Sequence, residues 1–124
     1  MRAAIFPIVF GVALLAPSSA HAKTTYLMCN AAADGHVTEY RVSLDEDRSE
    51  VTYEVISSGN VFKEPAIFTA DSVIWGDPPS SKLSVQFTIS RIDLGFDVSV
   101  YIGGRVVTPR KGRCTISVPP KRAF

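Results

Sequence analysis

Leu83-Ser84-Val85-Gln86-Phe87-Thr88-Ile89-Ser90 and Phe96-Asp97-Val98-Ser99-Val100-Tyr101-Ile102 are two strict alternations of apolar and polar side chains, joined by Arg91-Ile92-Asp93-Leu94-Gly95. Successive side chains on a β-strand point to opposite faces, so each segment reads as a strand with one core face and one wet face. Two such runs separated by a short polar link containing glycine form a hairpin. The pattern extends backwards along the chain. Tyr40, Val42 and Leu44 alternate with Arg41 and Ser43, and Val51, Tyr53 and Val55 alternate with Thr52 and Glu54.

Turn chemistry lies between these runs. Asp34-Gly35, Asp45-Glu46-Asp47, Ser58-Gly59-Asn60, Asp77-Pro78-Pro79-Ser80-Ser81 and Gly103-Gly104 supply residues that accept a positive φ or preset a bend. Further strands are expected over residues 25–29, 61–63, 67–70, 73–75, 105–108 and 113–118. No segment after residue 22 carries the i, i+3, i+4, i+7 apolar spacing of a confident helix. Eight to ten short strands at this spacing suit a small antiparallel barrel or a sandwich.

The two cysteines weigh between these folds. Cys29 falls in the first strand and Cys114 in the last, so a bond between them brings the two ends of the sheet together. A sheet whose first and last strands meet is most simply a closed up-and-down barrel of about eight strands, which also removes exposed edges. A β-sandwich with its terminal strands facing across the core is the alternative. The bridge closes a loop of about 85 residues, for which chain entropy gives roughly 4–5 kcal/mol.

The start of the chain addresses compartment. Met1-Arg2, the apolar stretch from Ala3 to Ala16, and Pro17-Ser18-Ser19-Ala20-His21-Ala22 have the cationic, apolar and small-residue parts of an export signal, with cleavage expected after Ala22. The apolar run is shorter than the ~20 residues a membrane-spanning helix needs. Residues 1–22 therefore read as a signal peptide and 23–124 as a single β domain, periplasmic or secreted, where a disulfide persists. Nothing resembles a Cys-x-x-Cys redox motif, so the cysteine pair reads as structural.

Removing residues 1–22 takes away one of the 13 basic residues and none of the 12 acidic ones, which leaves a formally neutral domain. Its charges are unevenly spread, with ten acidic and three basic side chains over residues 34–77 and six basic and no acidic ones over residues 103–124. Arg105, Arg110, Lys111 and Arg113, with Lys121 and Arg122, form a candidate surface for an acidic protein or an envelope polymer; the plain alternative is solubility and pairing with the acidic half. A neutral exported domain is a poor match for nucleic acid. Trp75, the single tryptophan, precedes the 77–82 loop. It is a candidate ligand contact at a barrel mouth, or a core ring.

Catalytic constellations are missing. His36 is the one histidine after residue 22 and stands beside a turn, no serine lies in Gly-x-Ser-x-Gly, and Gly103-Gly104 separates two strands rather than preceding a helix. Asp45, Glu46, Asp47 and Glu50 read as a solvated turn without the spacing of a calcium loop. The domain is expected to be no enzyme, with no catalytic residue, metal ligand or cofactor. An enzyme with a carboxylate pair assembled by the fold is the reading that a facing pair in a cleft would require.

Tyr26-Leu27-Met28-Cys29 soon after the export signal, followed by successive β segments and a second cysteine near residue 114, resembles the membrane-bound C-type lysozyme inhibitor family of periplasmic barrels. That family has Tyr-x-Cys where this chain has Tyr-x-x-Cys, and its Ser-Gly-Ala-Arg-Tyr-like inhibitory loop has no counterpart here, so no inhibitory residue is carried over. Ile74-Trp75, Ile89-Ser90-Arg91 and Gly112-Arg113-Cys114 resemble a pattern in small exported bacterial proteins of unknown function. The resemblance implies an inhibitor-like, protein-binding barrel of the bacterial envelope. The alternative is a structural or envelope-stress protein with no ligand site.

Overall fold

A computed structural model of the chain describes residues 24–78 and 82–119. The proposed signal peptide and the basic residues Lys121 and Arg122 lie outside the described residues. The strands are β1 (Thr24–Ala33), β2 (His36–Asp45), β3 (Glu50–Val55), β4 (Asn60–Phe68), β5 (Ser72–Gly76), β6 (Ser84–Ser90), β7 (Gly95–Ile102), β8 (Arg105–Val106) and β9 (Arg110–Ile116), with no helix among the described residues.

Each strand from β1 to β7 pairs antiparallel with the next, β9 pairs with both β7 and β1, and the sheet closes into a barrel of eight strands. β8 stands outside the ring. β7 continues past the end of its pairing with β9, and β8 folds back on its free end through Tyr101↔Val106 and Ile102↔Arg105. Only two of the four residues expected at 105–108 are therefore strand, and the last strand spans 110–116 rather than 113–118. The β1–β2 reversal is a two-residue turn in which Asp34 and Gly35 both take positive φ, of 51° and 79°, the pattern that matches hairpin twist.

Segment 61–63 and the first two residues of 67–70, expected as two strands, belong to one, while Thr69 and Ala70 fall in the turn that follows it. Pro65 separates them in the sequence, and a proline donates no ladder hydrogen bond. In the barrel it sits where β4 changes partner. Residues up to Glu50↔Pro65 pair with β3, and from Ala66↔Trp75 onward the strand pairs with β5.

The alternation places Leu27, Cys29, Tyr40, Val42, Leu44, Val51, Tyr53, Val73, Trp75, Phe87, Ile89, Phe96 and Val98 inside. Aromatic rings from five strands fill the centre. Trp75 stacks on Phe87 at 5.1 Å, Tyr53 lies 5.0 Å from Phe87, and Tyr40 meets Phe96 edge-on at 5.4 Å. Such ring pairs add to the area they bury.

The Cys29–Cys114 disulfide latches the seam. The two residues lie directly opposite each other on β1 and β9, with Cα atoms 3.9 Å apart. The Cys114 N–H is turned away to donate to the Leu94 carbonyl, leaving this pair joined through sulfur. Two residues before Cys114, β9 also passes close to β1. A Cβ on Gly112 would collide with the Asn30 carbonyl of β1, whose carbon would lie 2.6 Å away. Backbone cannot retreat as a flexible side chain can, so Gly112→Ala is expected to cost about 2–3 kcal/mol in urea unfolding. A loss within about 0.5 kcal/mol would mean that the seam is looser than described.

Candidate functional site

One end of the barrel is built from the β2–β3 turn, the β4–β5 turn, the β6–β7 loop and the outer ends of β1 and β9. The interior residues nearest this end are Leu27, Leu44, Phe68, Val73, Ile89 and Leu94. They enclose a cup of about 370 Å³, with Thr25 and Ile116 also lining it. That volume lies within the range of natural ligand pockets, which are mostly apolar with a few polar groups at their edges.

Glu46, Asp47, Ser90 and Arg91 supply those polar groups. Arg91 grips Glu46 through both guanidinium nitrogens, Nη2 to Oε1 at 2.9 Å and Nη1 to Oε2 at 3.2 Å, and also donates to the Thr69 carbonyl at 2.8 Å. Its guanidinium carbon stands 5.9 Å from the centre of the Phe68 ring. One side chain thus ties three loops together beside the cup. The pair is half exposed, so its contribution to stability is no more than about 1 kcal/mol. Its geometric effect is to hold the loops at fixed distances.

The β6–β7 loop is densely hydrogen-bonded for its size. Ser90 Oγ accepts the N–H groups of Ile92 and Asp93, Asp93 Oδ1 accepts that of Gly95 at 2.9 Å, and the Leu94 N–H donates to the Ser90 carbonyl. The Gly95 N–H, followed by the Ser90 hydroxyl, holds the Asp93 carboxyl below its ordinary pKa. These bonds keep Leu94 at φ 63°, a left-handed conformation that a bulky residue rarely adopts. Such conformations persist where surrounding structure over-determines them, and they concentrate at binding and catalytic sites. Here the held residue is part of the cup wall.

The residues singled out from sequence are distributed differently. Trp75 is 2% exposed inside the aromatic centre, away from solvent. Arg110 turns inward at the opposite end, where its guanidinium donates to Thr38 Oγ1 at 3.4 Å and acts on the Tyr40 hydroxyl. Lys111 and Arg113 share the outer face of β9, the first paired with Asp97 at 3.4 Å and the second donating to the Asp93 carbonyl at 2.9 Å. Arg105 stands on β8, so the four cations are not gathered on one surface. Among the described residues, no group of three or more His, Cys, Asp or Glu is placed to hold a metal ion.

Sequence reasoning missed the cup. Glu46 and Arg91 are 45 residues apart, and each looks like an ordinary loop residue where it stands. The available signal was Leu94, an apolar residue in the middle of a polar hairpin link. The chain matches no protein-family model, no curated protein and no solved structure.

Proposed function

We propose that the protein is exported, is cleaved after Ala22, and acts as a non-enzymatic binding module in the bacterial envelope or outside the cell. In this reading it receives an apolar side chain of a partner protein in the cup. The observation that carries it is the cup itself, a preformed apolar recess held open by a hydrogen-bonded loop and a bidentate ion pair. A recess that desolvates one anchoring side chain is how protein interfaces concentrate affinity. The disulfide fits an oxidising compartment.

The rim favours a partner of particular charge. Its one guanidinium, Arg91, is already engaged by Glu46, while Glu46 and Asp47 both bring negative charge to the edge. An apolar anchor flanked by lysine or arginine is therefore preferred to one flanked by carboxylates. The resemblance in layout to periplasmic lysozyme inhibitors points to the same kind of role, a barrel that engages another protein.

A neutral apolar fluorophore, N-phenyl-1-naphthylamine, tests the recess directly. Its emission is expected to rise on adding the mature protein, and to rise at least about fivefold less with Ile116→Asp, which places a charge at the lip. Ile116 is 65% exposed, so this variant keeps its fold. The aromatic filling of the centre favours a second reading, a solid structural barrel with no ligand site. Equal fluorescence with wild type and Ile116→Asp would select that reading.

A further inference from the structure

β4 outruns one of its neighbours. It pairs with β3 from Asn60 to Pro65 but with β5 only from Ala66 to Phe68. Over 60–65, towards the end opposite the cup, no strand among the described residues lies along its second edge. The Thr69 N–H donates to the Ser72 carbonyl, which makes the odd-numbered residues of β4 the ones whose backbone groups face β5. After Ile67 the next of these is Pro65, which has no N–H to give. On β5, Gly76 takes φ 100° where a Cβ would collide with the Val85 carbonyl. The chain then stays with β6, the Asp77 N–H donating to that same carbonyl at 2.9 Å. The wall opens between Glu64 on one side and Gly76 and Asp77 on the other, around a recess of about 260 Å³.

Backbone groups are left along this edge. The Ala66 N–H donates to the Ser49 carbonyl, so β3 takes the N–H and C=O groups of Glu64 and Phe62, and those of Lys63 and Val61 point the other way. Such an edge is a template for another extended chain. Recognition by strand addition draws affinity from the backbone bonds and specificity from alternate side chains.

The side chains here are selective. Phe62 is directly opposite Tyr53 and stacks on it at 5.1 Å, yet remains 42% exposed. Glu64, on the same face, accepts the Tyr53 hydroxyl at 3.0 Å and shares the recess with Asp77. Lys63 lies on the outer face, where Glu50 holds it at 3.6 Å. An added strand thus meets an exposed ring at one inward position and carboxylates at the next. Its match is an apolar residue with a lysine or arginine two positions away.

We propose that the open edge of β4 is a strand-addition site for an extended segment of a partner protein, one whose inward face alternates apolar and basic residues. The site is independent of the cup at the other end of the barrel.

Amide hydrogen exchange reads this edge residue by residue. In the mature protein alone, the amides of Val61 and Lys63 are expected to exchange at least about tenfold faster than those of Phe62 and Glu64. The capped peptide Thr-Lys-Thr-Val-Thr-Lys-Thr is expected to bind with Kd on the order of 1 mM and, at saturation, to slow Val61 and Lys63 about tenfold. N-methylation of the two threonines beside its valine, whose N–H groups would face β4, should abolish binding. N-methylation of the valine should not. Val61→Pro removes an edge donor and no bond to β3, so it should weaken binding about tenfold while Phe62 and Glu64 still exchange slowly. Ile116→Asp should leave peptide binding unchanged, which separates this site from the cup. The proposal is overturned if Val61 and Lys63 are already protected in the free protein, if the peptide shows no saturable binding, or if the two methylated peptides bind equally. Undiminished binding of a peptide with glutamates in place of both lysines would also overturn it.

Discussion

Replacing Cys29 and Cys114 together by alanine is expected to lower the unfolding free energy by about 4–5 kcal/mol. The loop closed by the bond spans 85 residues, so reduction releases nearly the whole described chain into a larger denatured ensemble. Small domains are stable by only about 5–15 kcal/mol in total. The double variant should therefore be partly unfolded at room temperature, or unfold at much lower urea than wild type. The place of the bond explains why it matters structurally as well. β1 and β9 are far apart in sequence, so their pairing carries a loop-closure cost that the neighbouring hairpins do not. The disulfide makes that closure covalent. A loss below about 1 kcal/mol would show that the β1–β9 ladder closes the barrel without help.

Phe96→Ala is expected to cost about 4 kcal/mol, in the range for truncating a fully buried phenylalanine. Phe96 is 1% exposed and touches three other rings, Tyr40 at 5.4 Å, Phe87 at 6.3 Å and Trp75 at 6.4 Å. Neighbours anchored on separate strands of a closed barrel have little freedom to collapse into the space left behind. Chemical denaturation followed by Trp75 emission would read both the stability loss and the disturbance of the stack. A loss under about 1.5 kcal/mol would mean that the centre repacks easily and is less rigid than its ring geometry implies.

The barrel was legible in the sequence because each of its strands is wet on one side. Tyr40 to Leu44, Val51 to Val55 and Val85 to Ser90 announce their inward faces through alternation alone, and the two cysteines supply the one long-range contact needed to close the ring; the pattern fails at the start of the run, where Leu83 precedes the strand and is 67% exposed while Ser84 is buried. Local rules failed where tertiary structure overrode them. Pro65 broke β4 in the sequence pattern, yet the barrel uses it at the point where the strand exchanges one neighbour for another. The same alternation that put Trp75 inside gave no way to see that its indole N–H would lack a partner.

The cup was illegible for a different reason. Its walls come from the ends of strands that are distant in sequence, and its rim from turns whose residues are those of any solvated loop. Glu46 belongs to an acidic run that reads as solubility, and Arg91 to a hairpin link that reads as a connector. Only the fold brings the two within 2.9 Å. The uneven charge of the chain, by contrast, was visible but did not name a site. Lys111 and Arg113 are engaged by β7 and its loop, and Arg110 turns into the barrel.

The proposed role of the cup as the surface that meets a partner is tested most directly by methyl NMR. A short peptide with a central phenylalanine flanked by lysines would be titrated into the isotope-labelled mature protein. The predicted result is a set of shifts confined to Leu27, Leu44, Val73, Ile89, Leu94 and Ile116, weaker when the flanking lysines are replaced by glutamates. Shifts that instead gather around Val106 and Val107, beside Arg105, or no shifts at all at concentrations that saturate a ~1 mM site, would contradict it.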